Sequence, residues 1–123
     1  MILKLKKYIT FLVLFYTCSC STYKYKIVGE WELVTIDDEI LSLDQIKTTK
    51  IEEPTIEKYL KSGEYEVNYG DYNEKGRYKL NSDTLKYTAN DIMFKINKLE
   101  KDLMILQYIN HTSNNYIHYR RIK

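Results

Sequence analysis

Short stretches in which apolar and polar residues alternate recur along residues 28–123, separated by turn residues at intervals of roughly 8–12 residues. The chain of 123 residues has 13 tyrosines, only one proline and only four glycines. Tyrosine, isoleucine and threonine favour pleated, half-buried surfaces. We find no internal repeat and no low-complexity segment. The pattern therefore predicts an all-β domain, built as an antiparallel barrel or sandwich.

Eight strands are predicted, at residues 29–36, 55–61, 64–69, 75–80, 84–88, 92–99, 102–110 and 115–122. In the hairpin of the third and fourth strands, we expect Val67 to face Tyr78 across a turn at residues 70–75. The same register places Glu66 opposite Lys79, so it satisfies both the apolar face and the charges.

The next turn, residues 81–84, predicts that Tyr78 faces Tyr87 and that Lys79 faces Lys86. The second pair has like charges, and we expect Glu66 to relieve it.

Two segments leave their structure open. Residues 103–106 are all apolar, so either both faces of the seventh strand are covered or the periodicity misleads. Between residues 37 and 54, Ile40, Leu43 and Ile46 recur every three residues, which indicates one or two helical turns. This segment could be a lid over a barrel mouth or an ordinary connection.

The N-terminus has the marks of an export signal. Three lysines precede an apolar run from Ile9 to Tyr16, and small residues and cysteines follow it. The run is far shorter than the roughly 20 residues that a helix needs to cross a bilayer. The segment resembles a bacterial lipoprotein signal, which is cut before a cysteine that carries a diacylglyceryl anchor.

Cys20 is the favoured attachment site, because the position before the cut must be small and Ser19 suits it better than Thr17 before Cys18. We therefore expect a signal peptide at 1–19, a lipid-attached tether at 20–27 and a domain at 28–123. The alternative is a secretory leader that is cleaved elsewhere. Because Ser21 is not the aspartate that retains lipoproteins in the inner membrane, the resemblance implies the outer membrane, facing the periplasm.

Removal of the leader changes the charge. The chain has 19 basic and 17 acidic residues. The leader contains three lysines and no acid, so 16 basic residues face 17 acidic ones in the mature part. This balance gives no basic face for nucleic acid, and we expect no nucleic-acid partner. With Cys18 removed and Cys20 lipidated, no disulfide remains.

Five short motifs occur along the domain: Gly29-Glu30-Trp31, Lys61-Ser62-Gly63-Glu64-Tyr65, Lys75-Gly76-Arg77-Tyr78-Lys79-Leu80, Asp83-Thr84-Leu85 and Tyr116-Ile117-His118-Tyr119-Arg120. In their order and spacing they resemble the motifs of lipocalin-like lipoproteins of the Bacteroidetes type. The resemblance implies an eight-stranded up-and-down barrel. It also implies that Trp31 plugs one end, with Arg120 or Arg121 lying across the indole.

A barrel of eight strands is filled by side chains or takes one small ligand. Buried tyrosine hydroxyls need partners, so an amphipathic guest or trapped water suits this interior better than a purely apolar guest. The alternative is that these residues are only core. The expected lining residues are Tyr65, Val67, Tyr78, Leu85, Tyr87, Phe94, Ile96 and Tyr119.

The sequence offers little for catalysis or metal binding. His111 and His118 are not in a metal-ligand spacing, and we expect His118 to be exposed or at the rim of the last strand. Adjacent acids at residues 37–39 and 52–53 are expected to be solvated. We predict no enzyme activity, no metal and no cofactor.

Three hypotheses follow. The first is a lipid-anchored, non-catalytic barrel that binds a small hydrophobic or amphipathic molecule. The second is an interaction or inhibitor module with a filled barrel, which acts through the loops at residues 37–54, 70–75 and 110–115. The third is an enzyme.

Overall fold

The computed structural model describes residues 26–109 and 115–123, and the leader, Cys20 and His111 lie outside them. Eight antiparallel strands form a closed barrel in which each strand pairs with its neighbours in sequence and β8 pairs with β1. The predicted fold class is confirmed. The elements are β1 (Gly29–Asp37), α1 (Leu43–Thr48), β2 (Thr55–Tyr59), β3 (Glu64–Tyr69), β4 (Tyr72–Asn81), β5 (Thr84–Tyr87), β6 (Met93–Leu99), β7 (Leu103–Tyr108) and β8 (Tyr116–Arg121).

In an up-and-down barrel, consecutive connections lie at opposite ends, so each end of this barrel carries its own set of connections. Trp31 lies near the start of β1, and we call that end the tryptophan end. The chain enters the barrel there. The other end, here called the mouth, carries the connections β1–β2, β3–β4, β5–β6 and β7–β8. The loops at residues 37–54 and 70–75 of the interaction hypothesis therefore belong to the mouth, and residues 110–114 of the third lie outside the described residues.

The predicted register of the β3–β4 hairpin is wrong. Tyr65 faces Gly76 and Val67 faces Glu74, which is four positions away from the expected pairing. The turn has only two central residues, Gly70 and Asp71, and Gly70 has φ of +56°. A glycine with positive φ at the first central position is typical of the tight type II′ hairpin turn. Since side chains alternate with a period of two, a shift of four leaves each one on its predicted face.

Gly76 has a packing role in this hairpin. A Cβ atom at this position would lie 2.6 Å from Cε1 of Tyr65. The tyrosine ring therefore lies directly over the glycine backbone on the opposite strand, and no larger residue fits there without a shift of the ring.

The β4–β5 hairpin has the predicted register, with Tyr78 facing Tyr87 and Lys79 facing Lys86. The expectation that Glu66 relieves the two lysines is wrong. Lys86 pairs instead with Asp91, with 3.3 Å between Nζ and Oδ1. Glu66 accepts hydrogen bonds from the side-chain amides of its strand neighbours.

Both faces of β7 are covered, which settles the first open segment. Met104 and Leu106 belong to the interior cluster of the barrel. Leu103 and Ile105 pack in a second cluster with the fully buried Ile46 of α1. The helix therefore lies against the outer wall of the barrel, where it shields the outward apolar residues of β7 from water.

A capping box starts α1. The amide of Gln45 donates to Oγ of Ser42, and the amide of Ser42 donates to Oε1 of Gln45 over 2.9 Å. The pair satisfies two amides that the first helical turn leaves without partners. The segment from 37 to 54 is thus a connection that packs on the wall.

The expectation that His118 is exposed or at the rim is wrong, because its side chain is fully buried. Its Nε2 accepts a hydrogen bond of 3.1 Å from the amide of Leu41. His118 faces outward, and the start of the β1–β2 connection covers it. Desolvation lowers the pKa of the imidazole, and the carboxylate of Asp37 opposes that shift.

Candidate functional site

The tryptophan end is closed by Trp31, whose side chain is fully buried. Its indole Nε1 donates a hydrogen bond of 2.8 Å to the carbonyl of Ile27. Cζ of Arg121 lies 4.2 Å from the centroid of the ring, within cation–π distance. Of the two arginines considered, Arg121 therefore covers the indole. It also donates to the carbonyls of Lys26 and Val28, which holds the incoming chain against the barrel.

Arg120 has a different environment on the outer face. It forms an ion pair with Glu32, which faces it from β1. Its Nη1 donates to carbonyls at the end of α1, over 3.0 Å to Ile46 and over 2.6 Å to Thr49. Arg120 therefore fastens α1 to the wall and lies outside the barrel.

The eight residues expected to line a pocket all belong to the interior cluster. Seven of them are buried, and Val67 is half-buried. Aromatic rings contact each other through this interior. Tyr65 stacks on Tyr87 with 4.3 Å between ring centroids, and Tyr87 meets Phe94 edge-on at 5.4 Å.

One row of directly opposed residues crosses four strands on the inner face. Trp31 faces Glu57, Glu57 faces Val67, and Val67 faces Glu74. Opposed residues of an antiparallel pair point to the same side of the sheet. Two carboxylates therefore point into the barrel, on either side of Val67.

Glu57 is at the centre of a hydrogen-bonded cluster of tyrosines. The hydroxyl of Tyr87 donates to Oε1 of Glu57 over 3.0 Å and lies 2.6 Å from the hydroxyl of Tyr59. The hydroxyl of Tyr119 also bonds to the Glu57 carboxylate. We call Glu57, Tyr59, Tyr87 and Tyr119 the tyrosine–glutamate cluster. The hydroxyls of these three tyrosines find their partners within the cluster, and the hydroxyl of Tyr78 donates to the carbonyl of Leu60.

The carboxylate of Glu57 has no cationic partner among the described ion pairs, although only 7% of the residue is exposed. Desolvation raises the pKa of Glu57, and the bonds from Tyr119, Tyr87 and Tyr59 oppose the rise. Burial and the nearby carboxylate also raise the pKa of each tyrosine well above its ordinary value. The hydroxyls therefore stay protonated and act as donors at neutral pH.

Solvent reaches the inner face from the mouth side of the cluster. Leu33, Val67, Ile92 and Tyr108 pack on the interior cluster but remain half-buried. Val67 lies directly between Glu57 and Glu74, and Glu74 itself is half-buried. The inner wall around Val67 is thus a partly accessible apolar surface beside the buried carboxylate.

A separate groove of about 320 Å³ lies at the tryptophan end, between the start of β1 and the end of β2. Of the tyrosine–glutamate cluster, only Tyr59 borders it. The buried carboxylate of Glu57 does not line this groove, so we place the candidate site on the inner face.

Sequence reasoning missed Glu57 and Glu74. In the segment Thr55-Ile56-Glu57-Lys58-Tyr59, alternation groups Glu57 with Tyr59 on one face and Ile56 with Lys58 on the other. The two faces are equally mixed, so alternation alone does not say which is inside. The closed barrel resolves this, because Tyr59 is buried and Glu57 must share its side.

Among the described residues, no group of three or more histidine, cysteine, aspartate or glutamate side chains is placed to hold a metal ion. In the same part of the chain, no helix is long and apolar enough to cross a bilayer. A comparison with profiles of known protein families and with curated protein sequences finds no match.

Proposed function

We propose that this protein is a lipid-anchored, non-catalytic binding protein of the cell envelope, which holds a small amphipathic molecule on the inner face of its barrel. The observation that carries the proposal is the tyrosine–glutamate cluster inside an otherwise apolar core. A buried carboxylate costs free energy unless it is well compensated, so stability alone does not explain Glu57. A few polar groups on an otherwise apolar surface fix the orientation of a ligand, and the Glu57 carboxylate beside Val67 would do this for an amphipathic molecule.

Binding suits the cluster better than catalysis does. The raised pKa of each tyrosine keeps these hydroxyls protonated, so they are poor bases and nucleophiles at neutral pH. Among the described residues, no nucleophile of the cluster lies beside a histidine base, since His118 faces the outer wall. These features support a role of the cluster in holding a guest.

The anchor would orient the barrel on the membrane. The tether leads into residues 26–28, and Arg121 holds this segment at the tryptophan end. A lipid on Cys20 would lie only a few residues upstream. The tryptophan end would then face the bilayer, and the mouth would face the aqueous compartment.

The anchor is tested by comparing the two cysteines. We expect Cys20→Ala to abolish incorporation of labelled palmitate and to release the protein into the soluble fraction. Cys18→Ala is the matched control and should stay lipidated and in the membrane. The reverse pattern would move the attachment site to Cys18, and unchanged membrane retention in both variants would refute the lipid anchor.

Ligand binding is tested at Val67. Native mass spectrometry of full-length protein, extracted in mild detergent, should show a bound small molecule or uptake of added octyl-chain amphiphiles. Val67→Trp fills the accessible wall and should weaken binding at least tenfold, with Val67→Phe as a milder variant. Lys75→Trp adds the same ring on the outer, exposed face of β4 and should bind normally. Equal binding by all variants would place the site elsewhere.

A second candidate is docking of a protein through the mouth. Several large apolar side chains remain exposed there: Ile36, Ile40, Tyr69, Tyr72 and Ile109. Exposed apolar patches of this kind often mark interaction sites. A stoichiometric protein partner on the natively extracted protein, lost on changing Tyr72 to Ser but kept with Val67→Trp, would favour this candidate over the small-molecule one.

A further inference from the structure

We infer that the guest carries a cationic head, a primary amine or a similar ammonium group, which sits beside Val67 between the carboxylates of Glu57 and Glu74. This inference rests on the proposed binding function and names the class of ligand that the same site takes.

The first argument is the missing counter-ion. Buried charges in proteins are normally paired with an opposite charge or a metal. Glu57 is bonded only to tyrosine hydroxyls, and the one charged group that acts on it besides these is Glu74, which is also acidic. Neither carboxylate has a lysine or arginine partner in the described ion pairs. A bound ammonium group would supply the missing positive charge between them and offset one of the two negative charges.

The second argument is the inventory of hydrogen-bonding groups. Tyr87 donates to Glu57, Tyr59 shares a hydrogen bond with Tyr87, and Tyr65 donates to Glu74 over 3.3 Å. Each hydroxyl has one proton, and these protons are directed at the carboxylates or at each other. What remains for a guest is acceptor capacity on carboxylate oxygens. A guest with several N–H donors fits this better than one that only accepts.

The third argument is the surroundings. The stacked rings of Tyr65 and Tyr87 present aromatic surface beside the carboxylates, which attracts cations further. Acids also outnumber bases in the described mouth connections, where a field of one sign steers an oppositely charged ligand. The acids there are Asp38, Glu39, Asp44, Glu52, Glu53, Asp71 and Asp91, against Lys47 and Lys50.

The test compares three probes of equal chain length, octylamine, octanol and octanoate, on the full-length protein at pH 7.5. We expect octylamine to bind at least tenfold more tightly than octanol, and octanoate to bind most weakly. Glu57→Gln should lower the affinity for octylamine at least tenfold and the affinity for octanol by a clearly smaller factor, because only the amine loses a charged partner. Glu66→Gln is the matched control, because Glu66 lies on the outer face of β3, and it should change neither.

The pH dependence gives an independent measurement. Burial raises the pKa of Glu57, so acidification towards pH 4.5 protonates this carboxyl and removes its charge. Octylamine affinity of the wild type should therefore fall on acidification, and octanol affinity should not. Glu57→Gln should show a weaker pH dependence.

Glu74→Gln is the second variant. It should reduce the preference for the amine, and because Glu74 is half-buried, its replacement puts folding less at risk.

The Glu57→Gln variant is expected to fold. With a raised pKa, the native state binds the Glu57 proton more strongly than the unfolded chain, so the ionised carboxylate destabilises the fold as pH rises above the unfolded value. Glutamine at this position removes that cost, so the Glu57→Gln variant should melt at a temperature no lower than that of the wild type at pH 7.5.

Equal affinity for the three probes, or a preference for octanoate, would overturn the cationic head and leave the binding function intact. No binding of any probe would overturn both.

Discussion

Replacing Trp31 with alanine should lower the free energy of unfolding by about 3–5 kcal/mol, the range for truncation of a large buried aromatic residue. The indole is fully buried at the base of the interior cluster. The change also leaves the carbonyl of Ile27 without its donor and takes away the aromatic surface under Arg121. The interior would lose its closure at the end where the chain enters.

Urea denaturation followed by far-ultraviolet circular dichroism measures this effect, since Trp31 is the only tryptophan and its fluorescence is lost with it. Trp31→Phe keeps part of the ring and should cost less than alanine. Arg121→Met removes the cation and its carbonyl contacts but keeps the indole, and we expect a smaller loss of about 1–2 kcal/mol. A loss below about 1 kcal/mol for Trp31→Ala would show that the plug does not hold the barrel closed.

The eight strands could be predicted from the sequence because alternation and turn residues are local signals. The predicted β3–β4 register is wrong because residues 70–75 are rich in polar and turn-forming residues and so resemble one long turn. The structure uses only Gly70 and Asp71 and extends β4 back to Tyr72. The faces were still correct, since the error was an even number of residues.

The inner polar residues and the helix contacts depend on long-range packing, which no local pattern contains. The side chain of Glu57 lies inside the barrel because of the way β2 pairs with β1 and with β3. His118 is buried because the connection near Leu41 crosses it, 77 residues earlier in the chain. The run of four apolar residues in β7 indicated that the outer face of this strand could be covered. It did not indicate that α1 covers it.

Arg120 attaches α1 to the barrel wall, and its replacement is the second change for which we expect a large loss of stability. Arg120→Met should lower the free energy of unfolding by about 2–3 kcal/mol. Removal of one partner from a buried ion pair costs roughly 3–5 kcal/mol. The side chains of Arg120 and Glu32 are 21% and 16% exposed, so solvent screening reduces that figure. Carbonyls of Ile46 and Thr49 at the end of α1 would also lose their donor.

Hydrogen exchange separates local release of α1 from general weakening. In Arg120→Met, the amide of Ile46 should exchange faster by a larger factor than the amides of β3 and β4, which lie away from the helix. Lys47→Met is the matched control, because its pair with Asp102 joins two side chains that are 49% and 43% exposed and should contribute less than 1 kcal/mol. The double variant Arg120→Met, Glu32→Gln should recover part of the loss, since no unpaired carboxylate remains. Uniform acceleration of exchange across the barrel would instead mean that Arg120 stabilises the β1–β8 seam and that α1 stays in place without it.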